Sequence, residues 1–212
     1  MIQDSEHRID RFRGEYSFLS NFYGCKIVIK TKDGPLTFWS AEAAFQAMKT
    51  TDFEERKKFC DIKNPVKAKA MGRKVKLRDY WDIIRIPIME YILIEKFCQN
   101  GELAKKLLET GDKQLIEGNN HHDKFWGMIP VPVGATDVWF GENHLGRILE
   151  DLRSSLNSGL KDNPMDQPPS KLSIDGWIDI VLDRSWIGSP LYDGSTRKVF
   201  GDTQNEEVKP HD

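Results

Sequence analysis

The stretch from Tyr80 to Gln99 constrains this 212-residue chain more than any other segment. Ile83, Ile84, Ile86, Ile88, Met89, Ile92, Leu93 and Phe97 lie within it at spacings that fit a buried helix. Pro87 must kink that helix or sit in its first turn. The helix belongs in a soluble core, because no apolar run approaches the ~18 to 20 residues of a membrane span. With 39% hydrophobic and 30% charged residues, the chain can build one well-buried core and a small appendage.

Other helices are marked around it. Ser40 is placed to N-cap a helix running to about Cys60, with Phe45, Met48, Phe53 and Phe59 as apolar anchors. Asn64 and Pro65 open a short helix through Met71, which Gly72 ends. Glu102 to Thr110 reads as a helix closed by Gly111. A final helix is expected from about His144 to Leu156, with Leu145, Ile148, Leu149 and Leu152 on one face. The run from Cys25 to Lys30 alternates, residues 32–35 carry turn chemistry, and Leu36 to Trp39 returns, which predicts a β-hairpin. Gln114 to Glu117 is a short strand candidate. The expected fold is α+β and predominantly helical, one compact domain with a small hairpin or sheet.

Residues 1–13 are polar and read as a frayed lead-in, which puts the domain over 14–156. Residues 157–170 hold three prolines, two serines and a glycine, the composition of a linker. Residues 171–212 carry aromatic clusters around Trp177, Trp186 and Tyr192, too much apolar surface for simple disorder. A partly ordered extension is expected there, a short helix or hairpin packing back on the domain, with the last ten residues mobile. From Asn157 onward six Lys/Arg face ten Asp/Glu, a net of −4, and the remaining 25 against 23 give +2. That near-neutral domain argues against strong non-specific nucleic-acid binding, although a local basic rim would hold a nucleic-acid end. Cys25, Cys60 and Cys98 are scattered and odd in number, and the N-terminus lacks an apolar leader, so reduced thiols and a cytoplasmic location are expected. No cysteine pair has the spacing of a zinc site.

Four segments could carry chemistry. Glu42, Gln46 and Lys49 share one helical face, and Glu42 falls in the first turn, where the helix dipole favours an anion. Alone, that stripe also reads as a solvated face, but Trp39, Phe45 and Met48 crowd the same helix. The segment 14–23, with Asn21, Phe22 and Tyr23, offers stacking rings and an amide edge, or an irregular packed loop. Residues 119–127 place two histidines beside Asp123, Trp126 and Gly127; adjacent histidines point apart on an extended chain, so no metal site is expected. Asn143 opens the final helix, whose free N–H groups could take a phosphate, or it is a plain N-cap. Arg73 and Lys49 are candidate phosphate partners, and Trp81 a stacking wall or core residue.

The order of these motifs says more than any one of them. F-L-S-N-F-Y, W-S-A-E-A-A-F-Q-A-M-K, A-x-x-M-G-R, the Tyr80-Trp81 helix ending in Glu95-Lys96-Phe97, D-x-x-W-G, N-x-L-G and a closing L-x-x-L-R follow one another from about Phe12 to Leu156. The series resembles the NADAR family, the YbiA-type group of N-glycosidases.

The resemblance implies a compact, largely helical α+β fold and hydrolysis of an N-glycosidic bond without a cofactor. The substrate would be a ribosylaminopyrimidine phosphate of riboflavin synthesis, or ADP-ribose on guanine in nucleic acid. It implies Glu42 and Asp123 as catalytic residues, with Asn21, Phe22, Gln46, Lys49, Arg73, Trp81, Trp126, Gly127 and Asn143 binding substrate. A carboxylate suits this chemistry, because breaking a ribosyl C1′–N bond builds oxocarbenium character that a nearby anion stabilises. The competing class is a non-catalytic module that binds ADP-ribose or a nucleotide. The chain departs from the family pattern at Ala43 and Ala44, where His-Tyr is common, in the longer stretch Met128 to Gly141, and at His144, where arginine is common. Those changes bear on substrate identity more than on reaction type.

Overall fold

The computed structural model describes residues 7–133, 136–158 and 172–182. The chain opens with β1 (Arg8–Ile9), a 3-10 helix (Gly14–Leu19) and a hairpin of β2 (Ile27–Thr31) and β3 (Gly34–Phe38). Helices α1 (Ala41–Ala47), α2 (Phe53–Lys57), α3 (Pro65–Gly72), α4 (Trp81–Cys98) and α5 (Gly101–Glu109) follow. Then come β4 (Gln114–Leu115), β5 (Ile129–Val133), β6 (Thr136–Phe140), α6 (His144–Asn157) and α7 (Ile174–Leu182). The fold is α+β and mainly helical, with three two-stranded sheets among the described residues. Within those residues no helix is long and apolar enough to cross a membrane.

Helix α4 is the axis of the core, as its composition predicts. α1, α5, α6, α7 and β2 all pack on it. Ile84, Ile88, Tyr91, Ile92 and Phe97 expose no surface, and burying each such side chain stabilises by roughly 1.5–3 kcal/mol. Pro87 lies in the second turn of α4, and its carbonyl accepts a hydrogen bond from Trp177 Nε1 at 3.2 Å.

Three expectations change. The helix expected from Ser40 to Cys60 is two helices, because Asp52 Oδ1 accepts from Glu54 N at 2.9 Å and Glu55 N at 3.1 Å and so starts α2 afresh. The lead-in is docked from Arg8 onward: β1 pairs in parallel with β4, and Ile9 and Phe12 are buried in the core. Met128 to Gly141 contains an antiparallel hairpin, Ile129 opposite Phe140 through Val133 opposite Thr136. Pro130 and Pro132 masked it, since proline is a poor strand marker.

Within the extension, the described residues 172–182 pack on the domain. Ile174, Trp177 and Ile178 of α7 are buried, and the helix rests on α4 and β2. Most of the linker expected over 157–170, together with Trp186 and Tyr192, lies outside the described residues.

Candidate active site

Ser40 begins the site. Its hydroxyl accepts from Ala43 N at 3.1 Å and fixes the start of α1, which points Glu42, Phe45, Gln46 and Lys49 into a cavity of about 540 Å³. Glu42 is 5% exposed, and its backbone N–H donates to Asn21 O at 2.9 Å, tying α1 to the loop after the 3-10 helix. Gln46 Nε2 donates to Glu42 Oε1 at 2.8 Å. Burial pushes the Glu42 carboxyl above its ordinary range; the Gln46 bond and the charges of Lys69 and Lys49 pull it back, and Asp123 pushes it up.

Gln46 in turn depends on Gly72. A Cβ at Gly72 would stand 1.9 Å from Gln46 Oε1, so the glycine expected to end α3 also makes room for the partner of Glu42. Lys49 is half-buried, with Nζ 5.8 Å from the centre of the Trp81 ring. Burial holds the Lys49 ammonium below its ordinary range, against the pull of Glu42 and with Lys69 and Arg73 adding to the depression.

Part of the cavity wall is aromatic. Phe45 stands between Trp81 at 5.2 Å and Trp126 at 5.3 Å, the latter edge-on at 85°. Asp123 shapes that wall: Oδ1 accepts from Trp126 N at 2.9 Å and from Phe125 N at 3.1 Å. Asn119 braces the same turn, accepting from Asp123 N at 3.0 Å and donating to Asp123 O at 2.7 Å. One carboxylate oxygen of Asp123 is therefore committed to positioning Trp126.

The loop carrying Asn21 is held from behind by a buried charge. Lys96 exposes no surface, and Nζ donates to Phe18 O at 2.6 Å and Ser20 O at 2.9 Å. Burial drives its ammonium down to about 8, against the pull of Cys25 and Glu117.

Of the expected residues, Asn21, Phe22, Glu42, Gln46, Lys49, Trp81, Asp123 and Trp126 line the cavity together. Arg73, Gly127 and Asn143 do not. Arg73 caps the C-terminus of α3. Gly127 is a close-packing position, where a Cβ would meet Glu117 O at 2.1 Å. Asn143 takes up a left-handed conformation at φ 55° without capping α6; its side chain donates to Leu115 O at 2.8 Å and accepts from Glu117 N at 3.0 Å. The phosphate reading of the α6 N-terminus is corrected by the same geometry. His144 N and Leu145 N already donate to the carbonyls of Phe125 and Trp126.

Several wall residues were not singled out in the sequence, among them Arg13, Lys69, Arg85 and Glu117. Glu117 is the most consequential. Burial raises its carboxyl to about 7; Asp123 adds to the rise, while Arg13, Lys69 and Lys96 oppose it. Its signal in the sequence is an acid directly after the apolar pair Leu115-Ile116 of the strand candidate, the place where a buried charge needs a reason. Asn21 Oδ1, Gln46 Oε1, Glu117 Oε2 and Arg85 Nε belong to cavity-lining residues and are buried without a hydrogen-bond partner among the described residues. Buried polar atoms are nearly always bonded, so four orphans around one cavity favour a ligand that offers both donors and acceptors.

Residues 9–157 match the model of the NADAR domain family. The chain is 36% identical over 143 residues to a riboflavin biosynthesis protein of Vibrio vulnificus, covering 66% of this chain and 36% of that protein. It thus spans about a third of that relative's length. It is 32% identical over 158 residues to the N-glycosidase YbiA of Escherichia coli, covering 74% of this chain and 91% of YbiA. The NMR structure of E. coli YbiA superimposes with a TM-score of 0.58 at 30% identity, over 76% of this chain and 94% of that one.

Proposed function

The chain belongs to the NADAR domain family, and on that premise we propose that its cavity hydrolyses the N-glycosidic bond of a ribosylated base. The observation that carries the proposal is Glu42: a carboxyl held by Gln46, near Lys49, and sharing its cavity with the Trp81–Phe45–Trp126 cluster. The names of the relatives, N-glycosidase and riboflavin biosynthesis protein, support the same reaction class.

In this reading the base stacks on the aromatic wall, and the ribose C1′ lies over Glu42. As the C1′–N bond lengthens, the Glu42 carboxylate stabilises the developing positive charge and orients the attacking water. Lys49, with Lys69 on the same cavity, neutralises the phosphate. Asp123 acts by holding Trp126 and with its second oxygen on the ribose or water. The orphan atoms of Asn21 and Gln46 accept from sugar hydroxyls or the base edge.

Two substrates fit this description: a ribosylaminopyrimidine phosphate, and ADP-ribose joined to guanine in nucleic acid. The test is incubation with each in turn and mass spectrometry of the released base and sugar phosphate. Turnover of either supports hydrolysis and identifies the substrate. Tight binding with no turnover of either would make the domain a nucleotide-binding module instead.

A further inference from the structure

We propose that Glu117 is a second reacting carboxyl of this cavity, the general acid that protonates the departing base while Glu42 serves the sugar. The proposal rests on the glycosidase reading and adds a residue and a proton path to it.

The geometry comes first. Glu117 lines the same cavity as Glu42, and its buried Oε2 has no protein partner. Its backbone is pinned at both ends: N–H donates to Asn143 Oδ1 at 3.0 Å, and the carbonyl accepts from Met128 N at 3.0 Å. Gly127 packs so closely that its missing Cβ would lie 3.1 Å from Glu117 Cγ. Asn143 and Gly127, which do not line the cavity, thus converge on placing one acid.

The electrostatics distinguish the two carboxyls. Glu42 has a side-chain donor in Gln46 and two ammonium groups beside it, which favour its ionised form. Glu117 has no side-chain donor; burial and Asp123 favour its protonated form, and Arg13, Lys69 and Lys96 limit the rise to about 7. Burial raises both carboxyls; what differs is the Gln46 amide, which stabilises Glu42 as the anion, and that difference assigns the proton to Glu117.

The C1′–N bond breaks and its electron pair goes to the leaving nitrogen, which takes the proton of Glu117. Water forms the new C1′–O bond and passes a proton to Glu42, which releases it to solvent. Glu117 regains its proton from solvent. A base nitrogen leaves poorly as an anion, so positioned protonation contributes about 10²- to 10⁴-fold.

Glu117→Gln keeps the shape and removes the proton. It is tested on the riboside that the wild type hydrolyses and on nitrophenyl riboside 5-phosphate, whose phenolate departs without protonation. We expect a loss of about 10²-fold or more on the base riboside and little change on the nitrophenyl substrate. We also expect the alkaline fall of kcat/KM, centred near pH 7 in the wild type, to vanish in the variant. Equal losses on both substrates, or none on either, would overturn the assignment. Glu42→Gln run in parallel separates this from the broader reading, since it should slow both substrates. If the wild type hydrolyses neither, the glycosidase reading falls and this proposal with it. If the wild type is active and only the Glu117→Gln pattern departs, this proposal alone falls.

Discussion

Arg56 and Asp175, 119 residues apart, meet in a two-pronged ion pair: Nη2 donates to Oδ1 at 2.9 Å and Nη1 to Oδ2 at 3.1 Å. Arg56 is 1% exposed and also donates from Nε to Thr50 O at 2.8 Å, next to Lys49. Arg78 stands 3.8 Å from the same carboxylate, and its N–H bonds Lys49 O at 2.7 Å. The carboxyl that balances both guanidiniums comes from α7, beyond the residues that match the family model.

Asp175→Ala should therefore destabilise the whole domain, not just detach α7. Removing one partner of a buried pair leaves an uncompensated charge and costs about 3–5 kcal/mol. Burial pushes the Asp175 carboxyl up, but the bonds and charge of Arg56, the Lys32 N–H and Arg78 outweigh it and hold it below the ordinary range. Its stabilisation is thus full above the unfolded carboxyl's pKa and is lost as pH falls through the lowered one. Thermal melting of wild type and variant from neutral to acid pH checks both statements; an unchanged midpoint at pH 7 would refute the first.

Glu42→Gln should fold as the wild type does and lose hydrolysis by orders of magnitude. The amide keeps the size of the side chain while removing the anion that the transition state requires. Steady-state kinetics beside a melting curve decide it, and retained turnover would sink the role given to Glu42.

Gly72→Ala tests the close approach of α3 to Gln46. Alanine is the better helix former by about 1 kcal/mol, which offsets part of the strain in α3. Its Cβ, however, would stand 1.9 Å from Gln46 Oε1 and 2.7 Å from Gln46 Cβ, so the Gln46 amide must leave Glu42 and α1 and α3 must shift apart. We expect a lowered melting point, and turnover of the still-folded variant reduced by at least about tenfold, equivalent to roughly 1.4 kcal/mol in the barrier. A variant as active as the wild type would show that Gln46 does not support Glu42.

Glu90 is buried in α4, and burial, with help from Asp151, raises its carboxyl to about 8. A folded pKa above the unfolded one means the native state holds a proton that the unfolded chain releases. Stability should then fall as pH rises from about 4.5 to about 8. Glu90→Gln should remove that slope and be the more stable protein at pH 8, with the gap closing toward pH 4.5. Chemical denaturation at several pH values measures it.

How much could be read from the sequence depended on the range of each interaction. The face of Glu42, Gln46 and Lys49 was legible because three residues on one helix obey a local period. Glu117 was not, since its surroundings come from Arg13, Lys69, Lys96 and Asp123, charges that only the fold assembles. Asn143 looked like a cap because caps are the commonest use of asparagine at a helix start; instead its side chain bonds to Leu115 of β4 and to Glu117 just beyond it. The Arg56–Asp175 pair joins two ordinary charged residues that carry no local pattern at all. Elements set by periodicity or capping were read nearly residue by residue, while the second helix break and the proline-bearing hairpin were not.

Lys96 bears on how a substrate is received. An ammonium sealed beneath the loop, bonded to the carbonyls of Phe18 and Ser20, opposes any swing of that loop, because outward movement would strand a charge in the interior. The face presenting Asn21 is then a finished mould before any ligand arrives. In the proposed site, a ligand of the wrong outline would meet a fixed face and not one that folds around it. Discrimination falls to shape, and widening the range of accepted molecules would mean softening that buried anchor before altering any residue the substrate touches.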